Sequence, residues 1–392
     1  MIGLKKIIAS FTAAAVSLTL TIPVFAAAFH EYDVNHDGSV TLADYTYMTM
    51  VLDGYKPLDY NIFDVNENGV VSFADSATVY DYAWYGSNNS SASVANYDDL
   101  RPANADVASL YQGITYLKRN CATGAISEYT LTTAGDTVAS TASTEQYTSM
   151  DLDPYETAVV KITKTDGNLI GTGTIIDDHI IATAAHCVYD HETGQFNDIN
   201  VRIVNTGYTE IASYTPSYVH IPKQYITSKS FVDDYALIYV NTNLSQYGKF
   251  EVGLALDWFV TDTTGICSVK VSGFPAELSP QFDDNLPLNE QYISQVCRYV
   301  SEGIIRGEDN VYDNTTIAIP NIMNYNTNTL RGDSGGPAYI EETYNLNGTE
   351  YSCKTMIGIH VGGLHYEPFD YGWSRRITAD QLYFYRSNTN LN

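Results

Sequence analysis

The feature that most constrains this fold is a series of short β-type segments in the second half of the chain. From about residue 155, runs of three to six residues rich in Val, Ile, Leu and Tyr alternate with turn residues, without helical periodicity between them. These runs cover residues 158–162, 174–176, 179–182, 201–204, 235–240 and 269–271. Closely spaced short strands favour a sandwich or a barrel. The sequence therefore predicts a mainly β domain at residues 151–388.

A glycine-rich turn near the end of this domain contains a serine whose hydroxyl group is suited to nucleophilic attack. Ser334 lies between Gly332 and Gly335 in the segment 329–337, Thr-Leu-Arg-Gly-Asp-Ser-Gly-Gly-Pro. Glycine lets the backbone approach a substrate closely, and the N–H groups of Gly332 and Ser334 are suited to binding a developing oxyanion. An ordinary Gly/Asp/Ser turn is the alternative for this motif taken alone.

Two upstream residues supply the other groups that such a nucleophile needs. His186 follows the end of a strand in Ala-Thr-Ala-Ala-His-Cys-Val, and an imidazole with a pKa near neutrality can take the proton from Ser334. Asp234 opens a strongly apolar strand, so its carboxylate can be partly buried and can fix the tautomer of His186. The neighbouring Asp233 is the alternative for this role.

In this order, the three motifs resemble those of trypsin-superfamily serine proteases over about residues 155–388. The resemblance implies two six-stranded β-barrels, with His186, Asp234 and Ser334 as catalytic residues in the cleft between them. It also implies an oxyanion hole formed by Gly332 and Ser334. The order excludes the arrangements of subtilisins and α/β-hydrolases. The alternative is a catalytically inactive relative that serves as a scaffold-bound binding or inhibitor-like protein.

Residues near the nucleophile also resemble the substrate pocket of glutamyl endopeptidases. Asn328, six positions before Ser334, replaces the acidic residue of enzymes that cut after Arg or Lys. Thr329 and His360 stand at the two positions where glutamyl endopeptidases bind the substrate carboxylate, and Tyr325 is a further similarity. A hydroxyl and an imidazole can both donate to an anion. The resemblance implies cleavage after Glu or Asp; for His360, a structural role within a strand is the alternative.

Asp333 and the cysteines differ from the usual pattern of this superfamily. In zymogen-regulated relatives the carboxylate at Asp333 pairs with a new N-terminal amine, but no Ile-Val-Gly-Gly start is present in the sequence. A bond to an internal Arg or to backbone is the alternative. The five cysteines leave at least one thiol unpaired and match no zinc spacing. Residues 171–173, where the partner of Cys187 would stand, read Gly-Thr-Gly; Cys267 and Cys297 are candidates for a disulfide.

A twelve-residue pattern occurs twice near the N-terminus, with starts 31 residues apart (64 − 33). Each copy has oxygen-bearing residues at positions one, three, five, nine and twelve and glycine at six, which is the spacing of a calcium loop. Each copy also precedes a predicted short helix, at about residues 43–52 and 74–84. The expected Ca²⁺ ligands are Asp33, Asn35, Asp37, Ser39, Thr41 and Asp44 in the first loop, and Asp64, Asn66, Asn68, Val70, Ser72 and Asp75 in the second. Two Asx-rich turns without metal are the alternative.

The duplicated loop-helix pattern resembles a dockerin at residues 29–86. The resemblance implies two bound Ca²⁺ ions and a cohesin domain of a scaffoldin as the partner. It also implies that Leu42-Ala43 and Phe73-Ala74, at loop positions ten and eleven, select the cohesin. Two alternatives remain open. In the first, Leu42 and Phe73 are simply core residues of a small domain. In the second, the module is a calcium-dependent folding aid for the protease and has no cohesin partner.

The N-terminal segment 1–28 has the pattern of a cleavable secretory signal. Lys5-Lys6 precede an apolar run that ends in three alanines at residues 26–28, and an uncleaved anchor is the alternative. We therefore expect a secreted, cellulosome-associated protein with no membrane contact after cleavage. The net charge of -26 disfavours nucleic acid and anionic membranes as partners.

Residues 87–150 connect the two predicted domains. Segments 86–97 and 132–148 are small and polar, as in flexible linkers, whereas 98–131 is too apolar for a linker and too short for an independent domain. The connection is predicted to be a linker or a pro-region. Cleavage near 140–155 would separate the protease from the dockerin-like module unless the two stay associated.

Overall fold

The computed structural model describes residues 32–35, 40, 42–52, 63–83, 114–130, 157–205, 209–260, 266–283, 285–286, 291–306, 321–327, 329–346, 348–366 and 369–388. The predicted signal at residues 1–28 and most of the connection at 87–150 lie outside these residues. So do Asp37, Ser39, Thr41 and Asn328.

Strands dominate the described part of the chain, so the prediction of a mainly β fold is confirmed. The strands are β1 Val70–Val71, β2 Thr115–Asn120, β3 Ile126–Thr130, β4 Val159–Lys164, β5 Leu169–Asp177, β6 Ile180–Thr183, β7 Tyr189–Asp190, β8 Gln195–Phe196, β9 Ile199–Val204, β10 Glu210–Tyr214, β11 Tyr218–Pro222, β12 Ala236–Tyr239, β13 Glu251–Val252, β14 Leu254–Ala255, β15 Ser268–Gly273, β16 Tyr299–Ile305, β17 Ile322–Asn326, β18 Pro337–Leu346, β19 Thr349–Tyr366 and β20 Phe369–Arg376. The helices are α1 Leu42–Leu52, α2 Phe73–Asp81, α3 Ala185–Val188, α4 Lys223–Ser228, α5 Asp257–Val260 and α6 Ala379–Asn388.

Two large sheets form the body of the protein. The first has nine strands in the order β10-β9-β4-β5-β6-β12-β11-β2-β3, and the second has seven in the order β13-β19-β18-β15-β16-β17-β20. Their inward-facing β-branched residues are buried, as Ile162 and Ile175 illustrate in the first sheet. The first sheet carries the segments that contain His186 and Asp234. The Ser334 turn precedes β18 of the second sheet, so the three predicted catalytic residues are contributed by both sheets.

The hairpin β2–β3 belongs to the first sheet, although the sequence placed it in a linker or pro-region. Strand β2 pairs antiparallel with β11, from Tyr116 opposite Pro222 to Asn120 opposite Tyr218. The Tyr116 ring is buried and stacks on Phe384 of α6, with ring centroids 4.1 Å apart. The apolar character of this hairpin is therefore explained by its packing on the first sheet and on α6.

The two N-terminal loops are each followed by a short helix, as the sequence predicted. Helix α2 begins with a capping box in which the Ser72 hydroxyl accepts from the Ala74 N–H and the Asp75 carboxylate accepts from the Ser72 N–H. Preceding it, β1 pairs antiparallel with β14, so that Val70 lies opposite Ala255. The second loop-helix repeat thus contacts the β14 segment directly.

The five cysteines are all free thiols, and the expected pairing of Cys267 with Cys297 is not formed. A Cβ atom added at Gly171 would lie 2.5 Å from Cys187 Sγ, so Gly171 is the residue that faces Cys187. Among the described helices, none is both long enough and apolar enough to span a membrane.

Candidate active site

The turn around Ser334 needs glycine for both conformation and space. Gly332 and Gly335 have positive φ angles of 101° and 87°, which other residues rarely adopt. A side chain at Gly332 would collide with the Phe274 carbonyl oxygen, and one at Gly335 with the Thr172 carbonyl oxygen. The turn therefore approaches two neighbouring segments closely, and its half-buried serine is held between them.

Thr172 in β5 connects the Ser334 turn to the first sheet. Its N–H donates to the Ser334 carbonyl oxygen at 2.8 Å, and its hydroxyl donates to the Gly332 carbonyl oxygen at 2.7 Å. The same hydroxyl accepts from the Phe274 N–H at 3.1 Å. Thr172 is fully buried. Sequence reasoning missed this residue, because the Gly-Thr-Gly at residues 171–173 was considered only for the cysteine that it lacks.

The backbone N–H groups of the Ser334 turn differ in whether they donate within the protein. Asp333 N–H donates to the Leu330 carbonyl oxygen at 3.1 Å, and Gly335 N–H donates to the His360 carbonyl oxygen at 2.7 Å. Within the described part of the chain, the N–H groups of Gly332 and Ser334 have no acceptor. These two donors are therefore available to a substrate oxygen.

Asp234 holds His186 through two contacts. Its Oδ2 lies 2.7 Å from His186 Nδ1, and its Oδ1 accepts from the His186 N–H at 2.9 Å. Asp234 is buried, whereas about a third of the His186 side chain (34%) is exposed. The neighbouring Asp233 instead accepts from the Ser228 hydroxyl at 2.8 Å. The structure thus brings Asp234, and not Asp233, to His186, with the hydrogen of the neutral imidazole on Nδ1 and Nε2 left as the acceptor.

The pKa of His186 reflects two opposed effects. Burial is the largest single effect and lowers it, but the Asp234 carboxylate and the adjacent Cys187 together hold the pKa well above its usual range. The adjacent Cys187 connects this segment to the nucleophile, since its thiol donates to the Ser334 carbonyl oxygen at 3.4 Å.

A hydrogen-bonded chain lies behind the Ser334 turn and includes His360. Tyr325 Oη is 2.7 Å from His360 Nδ1 and 2.6 Å from Ser374 Oγ. Burial, with a smaller contribution from the nearby His186, lowers the pKa of His360 to about 3, so its imidazole is neutral at physiological pH. Ser374 was missed by sequence reasoning, since it pairs with His360 only through the register of β19 and β20.

Thr329 lies close to the same chain. It is buried, and a Cβ atom added at Gly372 would lie 3.1 Å from Thr329 Oγ1 and 2.5 Å from the Tyr325 ring. The absence of a side chain at Gly372 therefore leaves the space beside which the Thr329 hydroxyl and the Tyr325 ring lie. Tyr325 therefore lies between the two predicted pocket positions: its hydroxyl contacts His360, and its ring lies beside Gly372 together with the Thr329 hydroxyl.

Asp333 is buried beside the nucleophile with one oxygen satisfied. Its Oδ2 accepts from the Leu330 N–H at 2.9 Å, while Oδ1 has no partner among the described residues. Burial raises the pKa of Asp333 to about 7, and the charge of Glu277 adds to the effect. Of the bonds expected for this carboxylate, the one to backbone is therefore present.

In the second N-terminal loop, backbone N–H groups hold the carboxylates at positions one and twelve. Asp64 accepts from the Asn68 N–H at 3.0 Å and the Gly69 N–H at 2.9 Å. Asp75 accepts from the Val65 N–H at 3.0 Å. The atoms of this loop that are expected to coordinate the metal are all oxygens, which suits Ca²⁺. In the first loop, Asp33, Asn35 and Asp44 are described, and Asn35 N–H donates to Asp44 at 3.2 Å.

No group of three or more His, Cys, Asp or Glu side chains within the described ranges converges as a metal site. The second loop would instead combine two carboxylates with the Asn66 and Asn68 amides, the Ser72 hydroxyl and the Val70 carbonyl oxygen.

Comparisons with known proteins address the family of this chain. The family model described as Trypsin matches residues 146–368, which is more than half of the 392-residue chain. A solved structure titled "Structure of Glu endopeptidase in complex with MPD" is 21% identical with a TM-score of 0.42, and the match covers 60% of this chain and 93% of that one. Comparison with curated proteins finds no match. On the family match, the chain belongs to the trypsin family and has the mainly β fold of a chymotrypsin-like serine protease.

Proposed function

We propose that this protein is a secreted serine endopeptidase in which Ser334 attacks the scissile carbonyl of a protein or peptide substrate. The observation that carries the proposal is the pair of contacts from Asp234 to the ring and backbone of His186, at 2.7 and 2.9 Å. They leave Nε2 of His186 as the base for the Ser334 hydroxyl.

In the proposed reaction, His186 takes the hydroxyl proton as Ser334 Oγ bonds to the carbonyl carbon. Asp234 stabilises the imidazolium that forms. The N–H groups of Gly332 and Ser334 stabilise the tetrahedral oxyanion, an effect worth about 3 kcal/mol per donor. His186 then protonates the leaving amine, and water hydrolyses the acyl-enzyme with His186 again as the base.

The test is labelling with a serine-reactive fluorophosphonate. We expect labelling of the wild type, loss in Ser334→Ala and His186→Ala, and no loss in Ser245→Ala, which changes an exposed serine far along the chain. Absence of labelling in correctly folded and processed wild type would favour the alternative, an inactive scaffold-bound binding or inhibitor-like protein.

We propose further that the enzyme cleaves after Glu or Asp. The proposal is supported by the closeness of Thr329 and His360 to the Ser334 turn and by the contact of Tyr325 with His360 Nδ1. When Tyr325 donates to Nδ1, the hydrogen of the neutral imidazole lies on Nε2, where it can donate to a carboxylate. The Thr329 hydroxyl provides a second donor.

A peptide-library cleavage profile tests this specificity. We expect enrichment of Glu or Asp before the cut site and loss of that enrichment, by about tenfold or more, in Thr329→Val and in Tyr325→Phe. Cleavage after neutral residues should persist in both variants. A wild-type profile without acidic enrichment would remove the proposal of Glu specificity and leave the endopeptidase proposal standing.

For the N-terminal module, we propose that its two loops bind Ca²⁺ and that it attaches the protease to a cohesin domain of a scaffoldin. The oxygen-only donor set of the second loop supports the calcium proposal. Pull-down with cohesins in calcium and in chelator is the test, and capture only in calcium is expected. N-terminal sequencing of the secreted form tests both signal cleavage and retention of the module.

A further inference from the structure

The second loop-helix repeat contributes to the core of the protease body. Val70 is fully buried and packs in the same apolar cluster as Ala255 of β14 and Phe259 of α5. The Gly69 carbonyl oxygen accepts from the Leu256 N–H at 2.7 Å. A Cβ atom at Gly69 would lie 2.7 Å from the Trp258 ring, so the tryptophan lies directly on the position-six glycine of the loop.

A buried carboxylate from the protease reaches the same loop. Glu342 of β18 is only 4% exposed, and its Oε1 accepts from Asn68 Nδ2 at 2.7 Å and from Ser72 Oγ at 3.0 Å. Its other oxygen accepts from the Thr355 hydroxyl. Glu341, the preceding residue, is about half exposed and pairs with Lys270 at 2.7 Å. Strand β18 therefore directs Glu342, and not Glu341, to the module.

An aromatic contact extends this surface along α2. The Phe73 ring meets Tyr344 of β18 edge to face, with centroids 5.6 Å apart, and the adjacent Ala74 is buried. Phe73 and Ala74 occupy loop positions ten and eleven of the second repeat. The positions that would select an external partner in this repeat are thus at or beside a contact with the protease.

We propose that the second repeat is a docking element for this chain's own protease domain, with Glu342 as the residue that positions Asn68 and Ser72 of the loop. The occupant of this surface of the second repeat is the β18 and β14 region of the same chain, so the proposed cohesin would have to bind through the first repeat. Residues that orient metal ligands from outside the site influence metal affinity, so calcium binding at this loop and docking should be linked. Only this linkage rests on the proposed calcium function.

Thermal unfolding of the full chain tests the docking. In a Ser334→Ala background, which prevents self-digestion, we expect Glu342→Ala to lower Tm by about 5 °C or more, because three donors lose a buried acceptor. The matched control Glu341→Ala should shift Tm by less than about 2 °C, as expected for an exposed ion pair. Equal shifts in the two variants would overturn the proposal.

A double-mutant comparison separates docking from a defect internal to β18. Asn68→Ala removes the donor from the module side, and its Tm shift should not add to that of Glu342→Ala if the two side chains interact in solution. Fully additive shifts would contradict the contact. Because Asn68 is also an expected Ca²⁺ ligand, the comparison is made in chelator. It does not involve catalysis, and both variants retain the buried pairing of β1 with β14.

Calcium titration by calorimetry tests the linkage. We expect Glu342→Ala to weaken one of two sites by about 10- to 100-fold and Glu341→Ala to leave both unchanged. Unchanged affinity in Glu342→Ala would exclude Glu342 as a positioning residue for the loop. Absence of calcium binding in the wild type would refute the calcium function, while the Tm comparison would still decide the docking.

Discussion

A single hydroxyl group, that of Thr172, joins three segments of the candidate active site. It donates to Gly332, accepts from Phe274, and belongs to a residue whose N–H holds the Ser334 carbonyl oxygen. We expect Thr172→Val to lower kcat by about tenfold, because the Gly332 carbonyl oxygen loses the donor that helps fix the conformation of the Ser334 turn. KM should change little, and Thr172→Ser should restore kcat. A variant that loses thermal stability but keeps kcat would show that Thr172 has only a structural role.

His186 gives a prediction about pH. The base form is the neutral imidazole, and the Asp234 carboxylate holds the pKa well above the usual value near 6.5 despite opposing burial. We therefore expect kcat/KM to fall as pH drops through a value above 6.5. In Asp234→Asn, burial acts without the opposing charge, so this limb should move to lower pH while the rate falls by about 10³- to 10⁴-fold. An unmoved limb would contradict the assigned partner.

Asp333 gives a prediction about stability. Burial raises its pKa from 3.8 to about 7, so between these values the folded state binds the proton more tightly than the unfolded state. The free energy of unfolding should therefore fall as pH rises from about 4 to about 7, by at most about 1.4 kcal/mol per pH unit, and level off above. In Asp333→Asn this decline should be absent. Urea denaturation at a series of pH values measures it, and an identical decline in both proteins would assign it to other groups.

At this scale the sequence identified residues that the structure brings together, but not the residues that hold them. His186 and Asp234 were recognisable because their motifs are local. Thr172 and Ser374 act through hydrogen bonds to segments far along the chain, so no local pattern signals them. The sequence favoured Asp234 over Asp233 because Asp234 opens the apolar strand, and in the structure its carboxylate is the one that contacts His186.

Among the elements, the hairpin β2–β3 differs most from expectation. We expect Tyr116→Ala to lower the free energy of unfolding by about 3–5 kcal/mol, because the ring is buried against Phe384 and its loss leaves a cavity. Tyr116→Phe removes only the hydroxyl, which lies 3.1 Å from Tyr235 Oη, and should cost about 1 kcal/mol. Urea denaturation gives both values. A loss below about 1 kcal/mol in the alanine variant would mean that the hairpin is not packed on the protease.

Strands β4, β5, β6, β9, β12 and β15 and helices α1 and α2 were predictable from sequence, because β-branched runs and loop-helix spacing are local signals. The membership of β2 in the first sheet was not, since its pairing partner β11 follows the intervening strands β4 to β10. The pairing of β1 with β14 was unpredictable for the same reason, because the two strands are far apart in the sequence. A short apolar segment indicates that its side chains will be buried, but only the folded structure shows which segments bury them.

For the whole molecule, net charge bears on the proposed specificity. A chain with a net charge of -26 repels acidic peptides over distances comparable with the Debye length. We expect kcat/KM for a peptide with several acidic residues to rise several-fold between about 0.02 M and 0.2 M salt. A neutral peptide with the same cut site should show little change. A decrease for the acidic peptide would instead indicate a locally positive approach to the site.

Because of the hairpin β2–β3, the packed protease body begins earlier in the sequence than the region that matches the family model. The family match begins at residue 146, after the hairpin, whereas β11 pairs with β2 and α6 packs on Tyr116. A chain that starts at residue 146 would leave the β11 edge with unpaired N–H and C=O groups and an uncovered Phe384. Such an edge recruits strands from other molecules. We therefore expect the residues before the recognised domain also to protect this protease from self-association.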